Sequence, residues 1–351
     1  MRRPSVFLLV LALACLASAP ARALSPELAE ERPVPSWADR EIRIVVAAGL
    51  MGPTVEAFRP DDPLTVEELA GALGRLGRAP AGPVVADPEP DRLVNVRELD
   101  ARLVVALGLG PAAKQLHAAV RRAGLAPVRG LGTETVARLL GLRVNHPQGQ
   151  ESLELAPWQP VTRAEAAYSL ARAAELEPYR LDGVREHAAA FALPGYGRMQ
   201  RAVLARAVRF VGLPYVWAGT SERAQELYYG PAPGGFDCSG FVWRVFKLEP
   251  FAGAPALAAT LKGRTTFSMS AEIAKADRVA RERLQPADVL FFGDRGADSA
   301  PAEVGHAGIY LGNGWFVHSS GNGVTLQPLE GWYLERLAWG RRLLAEAAVA
   351  G

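Results

Sequence analysis

Gly235-Phe236-Asp237-Cys238-Ser239-Gly240-Phe241-Val242-Trp243 joins a glycine turn to a helix. Phe241, Val242, Val245 and Phe246 recur at helical spacing, which predicts a helix from about Cys238 to Lys247. Cys238 then falls in the first turn. Unpaired backbone N–H groups and the positive end of the helix dipole favour a thiolate there, lowering a pKa that is about 8.5 in free cysteine. Asp237 is placed to cap the helix, and the small Ser239 and Gly240 leave the sulfur accessible. The runs that follow are rich in Val, Phe, Tyr and Gly, so residues 198–351 read as an α+β domain opened by a helix.

A nucleophilic thiol needs a proton acceptor, and the chain has five histidines. Two of them fall in one predicted hairpin. Gly305 to Leu311 is strand-like, Gly312-Asn313-Gly314 turns, and Trp315 to Ser319 returns. If Asn313-Gly314 alone turns, Ile309 pairs with His318 and His306 points to the opposite face. If all three residues turn, with Gly314 left-handed and bulged, Gly308 pairs with His318. His306 and His318 then share a face as diagonal neighbours, about 7–8 Å apart at the backbone. The three-residue turn is expected, because it also sends Ile309, Leu311, Trp315 and Val317 to a buried face. His306 is the expected base for Cys238, and His318 the group that orients it. His117, His146 and His187 lack such partners in the sequence and read as surface residues. Zinc is a weaker reading of one cysteine with two histidines, since no Cys-x-x-Cys or His-Glu-x-x-His spacing accompanies them. No cofactor is expected.

The N-terminus reads as an export signal over residues 1–23, with Arg2 and Arg3, an apolar run from Val6 to Ala17, and Ala21-Arg22-Ala23 for cleavage. The apolar run is shorter than the roughly 20 residues of a membrane span. Lipidation at Cys15 is an alternative for which Ala12-Leu13-Ala14 is poorly ordered. Removing residues 1–23 deletes three arginines and no acids, so the net charge passes from +2 to −1. That balance gives no electrostatic case for nucleic acid or an anionic membrane, and no span is expected after cleavage. Of two cysteines only Cys238 then remains, and a lone thiol kept outside the cell suggests chemistry.

Residues 33–175 read as short amphipathic helices. Ala38, Ile42, Val45, Val46 and Leu50 keep near-helical spacing. A Pro-bounded turn, Phe58 to Pro63, leads to a capping box of Thr65 and Glu68. Thr162 and Glu165 repeat the cap after Leu155 to Val161, and Asn95 to Leu99 is a weaker copy. Pro35 to Leu50 followed by Phe58 to Thr65 resembles an S-layer homology repeat. The resemblance implies triplets of helical hairpins that attach exported proteins to cell-wall polymers. The basic residue expected after the capping threonine is present as Arg163, but Val66 and Val96 stand in the other copies. The repeats are expected either to bind wall polymer or to serve as a helical spacer. Residues 176–197, ending in Leu193-Pro194-Gly195-Tyr196-Gly197, read as a linker.

A second resemblance covers about 150 residues. Gly212-Leu213-Pro214-Tyr215-Val216-Trp217-Ala218-Gly219, Asp237-Cys238-Ser239-Gly240, Leu284 to Phe292, His306-Ala307-Gly308-Ile309-Tyr310 and His318 occur in order. This set is similar to the NlpC-type cell-wall peptidases, a papain-like family. It implies a cysteine peptidase that hydrolyses peptidoglycan stem peptides, commonly between D-glutamate and the diamino acid beside it. It further implies that Cys238, His306 and His318 are catalytic, that Tyr215 lines the oxyanion region, and that Asp237 and Ser239 hold the substrate's free amine. Ala218 and Ala287 replace glycines expected there, and Thr220 to Gly234 is long enough to form a flap or rim. The competing expectations are an inactive wall-binding protein and a papain-like amidase or acyltransferase using the same triad.

Overall fold

The computed structural model describes residues 36–77 and 89–349; the expected signal peptide lies outside them. The fold begins with three N-cap loops that bind one another. Leu64, Val94 and Val161 each precede a capping residue. Leu64 N donates to Val161 O, Val161 N to Val94 O, and Val94 N to Leu64 O, each at 2.9 Å. The ring continues one step on: Val66 N reaches Arg92 O, Val96 N reaches Gln159 O, and Arg163 N reaches Asp62 O. Orphan donors at each helix start are thus met by the next repeat in a pseudo-threefold arrangement. This is why three short helices that would be marginal alone hold together.

The helices of this half are α1 (Asp39–Ala47), α2 (Val66–Leu76), α3 (Val96–Ala106), α4 (Gly110–Arg122), α5 (Leu131–Leu139) and α6 (Arg163–Glu175). Thr65 and Glu68 form the full capping box. Asn95 and Thr162 accept from Glu98 N and Glu165 N, but the Glu165 carboxylate turns to His146 Nε2 at 3.1 Å and Arg143 at 3.5 Å. His146 is therefore not the surface residue expected: it is 3% exposed and meets the Trp37 ring edge-on. His187, also expected to lack partners, faces Glu330 at 2.8 Å. Arg163 ties its guanidinium to Phe58 O and the Glu68 carboxylate and stacks over the Phe58 ring. At the equivalent positions Val66 and Val96 are fully buried. One polar tie and two apolar plugs close the three junctions.

The segment expected as a linker carries a helix, α7 (Pro178–Ala190), started by proline in its first turn. Next come α8 (Arg198–Val208), two small ribbons, and α9 (Cys238–Phe246). The ribbons are β1 (Thr220–Ser221) with β4 (Gly235–Phe236), and β2 (Gln225–Leu227) with β3 (Gly230–Ala232). β1, β2 and β3 lie in the Thr220 to Gly234 insertion, and β4 follows it. An antiparallel sheet follows: β5 (Val289–Gly293), β6 (Val304–Gly312), β7 (Trp315–Ser320), β8 (Gly323–Pro328) and β9 (Leu337–Arg341), in the order β8-β7-β6-β5-β9. The α+β reading of this half holds.

One face of the sheet buries Ala307, Ile309, Leu311, Trp315 and Val317 against Phe241, Val242 and Val245 of α9. The other face carries a smaller apolar cluster of Leu290, Phe292, Phe316, Leu329 and Leu337. Among the described residues no helix is long and apolar enough to cross a membrane.

Candidate active site

Cys238 is the first residue of α9, and Asp237 caps the helix with Oδ1 accepting from Gly240 N at 2.5 Å. A glycine is required at 240, because a Cβ there would collide with Gly219 O and approach Arg264 Nη2 at 2.9 Å. Cys238 is 9% exposed, and its sulfur lies 4.0 Å from Gly305 O. Its neighbours on β6 are the residues on either side of His306.

The expected lowering of the thiol pKa does not occur. Burial pushes the thiol up to about 12, with the adjacent Asp237 charge adding to the rise. The N–H groups of Ala307 and Ser239 and the charge of Arg264 act in the opposite sense but are outweighed. Burial also pushes His306 down to about 4 and His318 well below the usual imidazole range. Burial thus favours the neutral form of the thiol and of both imidazoles.

The two histidines do share a face: His306 Nε2 and His318 Nδ1 stand 2.8 Å apart, with the rings at 81°. The register is the expected one, since Ile309 pairs with Val317, which puts Gly308 opposite His318. The turn differs. Gly312 pairs with Trp315 around a two-residue Asn313-Gly314 turn with both φ positive, and the register shift sits at Leu311 on β6 rather than at Gly314. One extra residue on either arm gives the same register.

Around the pair stands an aromatic wall that sequence reading missed. Phe292 opposes His306 across β5, Phe316 lies 4.7 Å from the His318 ring, and Tyr333 meets His318 edge-on at 5.1 Å. His318 is fully buried, and among the described residues its Nε2 has no hydrogen-bond partner. The period-two pattern of β7 (Phe316, His318) was the signal for one wall; Tyr333 had none.

Tyr215 is half-buried and bridges to Phe236, which places it beside Asp237 and Cys238. Burial first, then the charges of Cys238 and Asp237, raise its phenol pKa. Arg264 was also missed. Its Nη2 lies 3.1 Å from Asp237 Oδ2, its Nη1 donates to Ser239 Oγ at 2.7 Å, and it also donates to Ala218 O at 3.1 Å. Asp237 and Ser239 are thus both engaged by one guanidinium. The clue available in sequence was physical: a carboxylate beside a nucleophile needs a counter-charge.

The helical half reaches the site as well. Glu151 is 3% exposed in a short 3-10 turn (Glu151–Leu153) that packs on β3, and its Oε2 accepts from Gly149 N. Tyr229, on the insertion, donates to Trp217 O at 2.5 Å, while its neighbour Tyr228 is exposed. Burial first and the Glu151 carboxylate second raise the Tyr229 phenol. Ala218 and Ala287, where glycines were expected, have φ of 59° and 73°. Among the described residues no cluster of three or more His, Cys, Asp or Glu is arranged for a metal.

This geometry occupies the segment that matches the model of the NlpC/P60 family, residues 212–342. The chain carries an NlpC/P60 domain. Residues 32–70 match the model of the S-layer homology domain. A probable endopeptidase of Mycobacterium tuberculosis is 35% identical over 133 residues, 38% of this chain and 26% of the relative. A gamma-D-glutamyl-L-lysine dipeptidyl-peptidase of Bacillus cereus is 33% identical over 138 residues, 38% of this chain and 34% of the relative. This chain therefore spans about a quarter to a third of the length of these relatives. A crystal structure of an NlpC/P60 family protein from Bacillus cereus is 27% identical, covers 44% of this chain and 43% of its own, and has a TM-score of 0.31.

Proposed function

We propose that this protein is an exported peptidoglycan hydrolase, a cysteine peptidase that cleaves stem-peptide amide bonds. The observation that carries the reading is the 2.8 Å contact of His306 Nε2 with His318 Nδ1, set beside a thiol at a helix start. With Nε2 engaged, Nδ1 of His306 is the nitrogen left to take the Cys238 proton. The sulfur then bonds the scissile carbonyl carbon, and the oxyanion is received by the Cys238 N–H and the Tyr215 hydroxyl. His306 returns its proton to the leaving amine as the C–N bond breaks. Water, deprotonated by His306, hydrolyses the thioester and restores the thiol.

The D-glutamyl–diamino acid bond is the bond assigned, in keeping with the Bacillus cereus relative's name. Asp237 and Ser239 are assigned to a free substrate amine; Asp237 Oδ2, which accepts from Arg264, keeps a lone pair for it. The S-layer homology match and residues 1–23 support export and attachment to a wall polymer through the helical repeats. The test is muropeptide analysis of walls digested with the wild-type chain and with Cys238→Ala. New termini at D-glutamate that appear only with the wild type are expected. Equal products from both chains would remove Cys238 from the mechanism.

A second reading, a wall-binding protein without turnover, is favoured by the burial of Cys238 and His306, which raises the thiol and lowers the imidazole. Thiol labelling with wall digestion separates the two. An unreactive Cys238 together with no muropeptide release selects the binding protein. Product masses also separate a peptidase from a related amidase or acyltransferase.

A further inference from the structure

The two halves of the molecule meet along α5. Arg138, on α5 and 3% exposed, sends its guanidinium across the junction. Its Nη2 donates to Gly212 O at 2.5 Å and its Nη1 donates to Asn322 O. Glu134, one turn earlier, lies 3.4 Å from the same Nη2. The two carbonyls belong to different parts of the NlpC/P60 domain. Gly212 opens the run that leads to Tyr215, and Asn322 lies in the turn that follows β7 and His318. These two segments also pair with each other, Gly212 N with Val324 O at 2.9 Å and Val324 N with Leu213 O at 2.8 Å.

The close approach is built in. Gly212 has φ +99°, and a Cβ there would stand 3.1 Å from Glu134 Cδ. Gly323 has φ +74°, and its Cβ would stand 2.5 Å from Leu213 O and overlap Arg138 Nη1. Burial pushes the guanidinium pKa down, with the Glu134 charge opposing it. A buried cation is costly unless its donors are met, and a planar fork reaches two carbonyls where a lysine's point charge reaches one well.

We infer that Arg138 is a positioning residue for the active site. From the helical half it fixes the segment bearing Tyr215 against the turn behind His318. The repeats are then part of the catalytic frame as well as an anchor. The inference rests on the peptidase reading above.

The test uses the full chain as wild type, Arg138→Met, Arg138→Lys and Leu69→Ala. Leu69 is fully buried on α2, a different helix from the one that carries Arg138, and serves as a control that loosens the helical half. On a soluble stem peptide, Arg138→Met is expected to lower kcat about 10-fold or more with KM changed less than about 3-fold, and Arg138→Lys to recover part of the loss. Leu69→Ala is expected to hold kcat within about 2-fold. A kcat for Arg138→Met within about 2-fold of wild type, or an equal loss in Leu69→Ala, overturns the inference. If Arg138→Met does not fold, Arg138→Lys is judged by the same limit. A wild-type chain that cuts no stem peptide defeats the peptidase reading alone. The pH dependence of Cys238 alkylation by iodoacetamide then decides: a displaced midpoint in the Arg138 variants supports the frame, and a superimposable curve rejects it.

Discussion

His306 Nε2 faces His318 Nδ1 at 2.8 Å, and in the proposed mechanism that contact decides which imidazole nitrogen remains for the thiol. For His306 to accept a proton at Nδ1, its Nε2 must carry the hydrogen and donate to His318. His318 is then protonated at Nε2, among the rings of Phe316 and Tyr333 and, among the described residues, with no polar acceptor. Ring faces are weak acceptors, so the wall tolerates this tautomer while giving little stabilisation to a second positive charge.

The role of His318 is therefore separable from its bulk. His318→Asn keeps a side-chain acceptor for His306 Nε2–H, whereas His318→Leu leaves that donor buried and unmet. Expected kcat losses are roughly 10-fold for Asn and on the order of 10³-fold for Leu, as for other orienting triad members. Steady-state kinetics on one stem peptide checks the order; equal losses would show that His318 only fills space.

Burial sets the pH range expected of the proposed activity. His306 is pushed down from about 6.5 to about 4, so its basic form persists as pH falls until about 4. The acid limb of kcat/KM is expected near pH 4–5, below the midpoint of an ordinary histidine, with no loss from pH 6 to 8. The same sign applies to stability. The unfolded chain takes up the proton below about 6.5 while the folded chain resists, so stability is full above that pH and falls as pH drops toward 4. A kcat/KM profile with its acid midpoint at 6.5 or above would contradict the buried neutral imidazole.

How much of this was legible in the sequence depends on how local each cause is. The α9 cap, the two-histidine hairpin and its register follow from neighbours within a few residues, and the sequence carries them. The position of the bulge did not follow, because one extra residue at Leu311 or at Gly314 satisfies the same face pattern. The thiol pKa was misjudged because the helix-start effect is local, while the burial that outweighs it is supplied by β6, far along the chain. His146 was missed for the same reason, since Glu165 and Trp37 reach it only after folding. Arg264 lies 27 residues from Asp237 in a stretch with no motif of its own.

Arg264 offers a direct check on that counter-charge. Arg264→Gln keeps hydrogen-bonding capacity but leaves Asp237 unneutralised beside the sulfur. The thiol is then expected to rise further, because Arg264 is one of the groups that lowers it. Alkylation of Cys238 at pH 8 should slow by about 10-fold or more, a change of about one pKa unit. An unchanged rate would mean that the guanidinium only braces the loop.

Two alanines in left-handed backbone give a prediction about stability rather than activity. Ala218 and Ala287 have φ of 59° and 73°, a region that a Cβ disfavours. Ala287 is buried and Ala287 N donates to Tyr310 O at 2.8 Å, so the loop cannot relax without losing a sheet contact. Ala287→Gly and Ala218→Gly relieve that strain but add freedom to the unfolded chain, which takes back part of the gain. The net expectation is a stabilisation of about 0.5–1 kcal/mol at each site, additive in the double variant because the two lie on separate loops. Chemical denaturation read by fluorescence checks it. A destabilised Ala287→Gly would mean that the lost methyl packing outweighs the backbone strain.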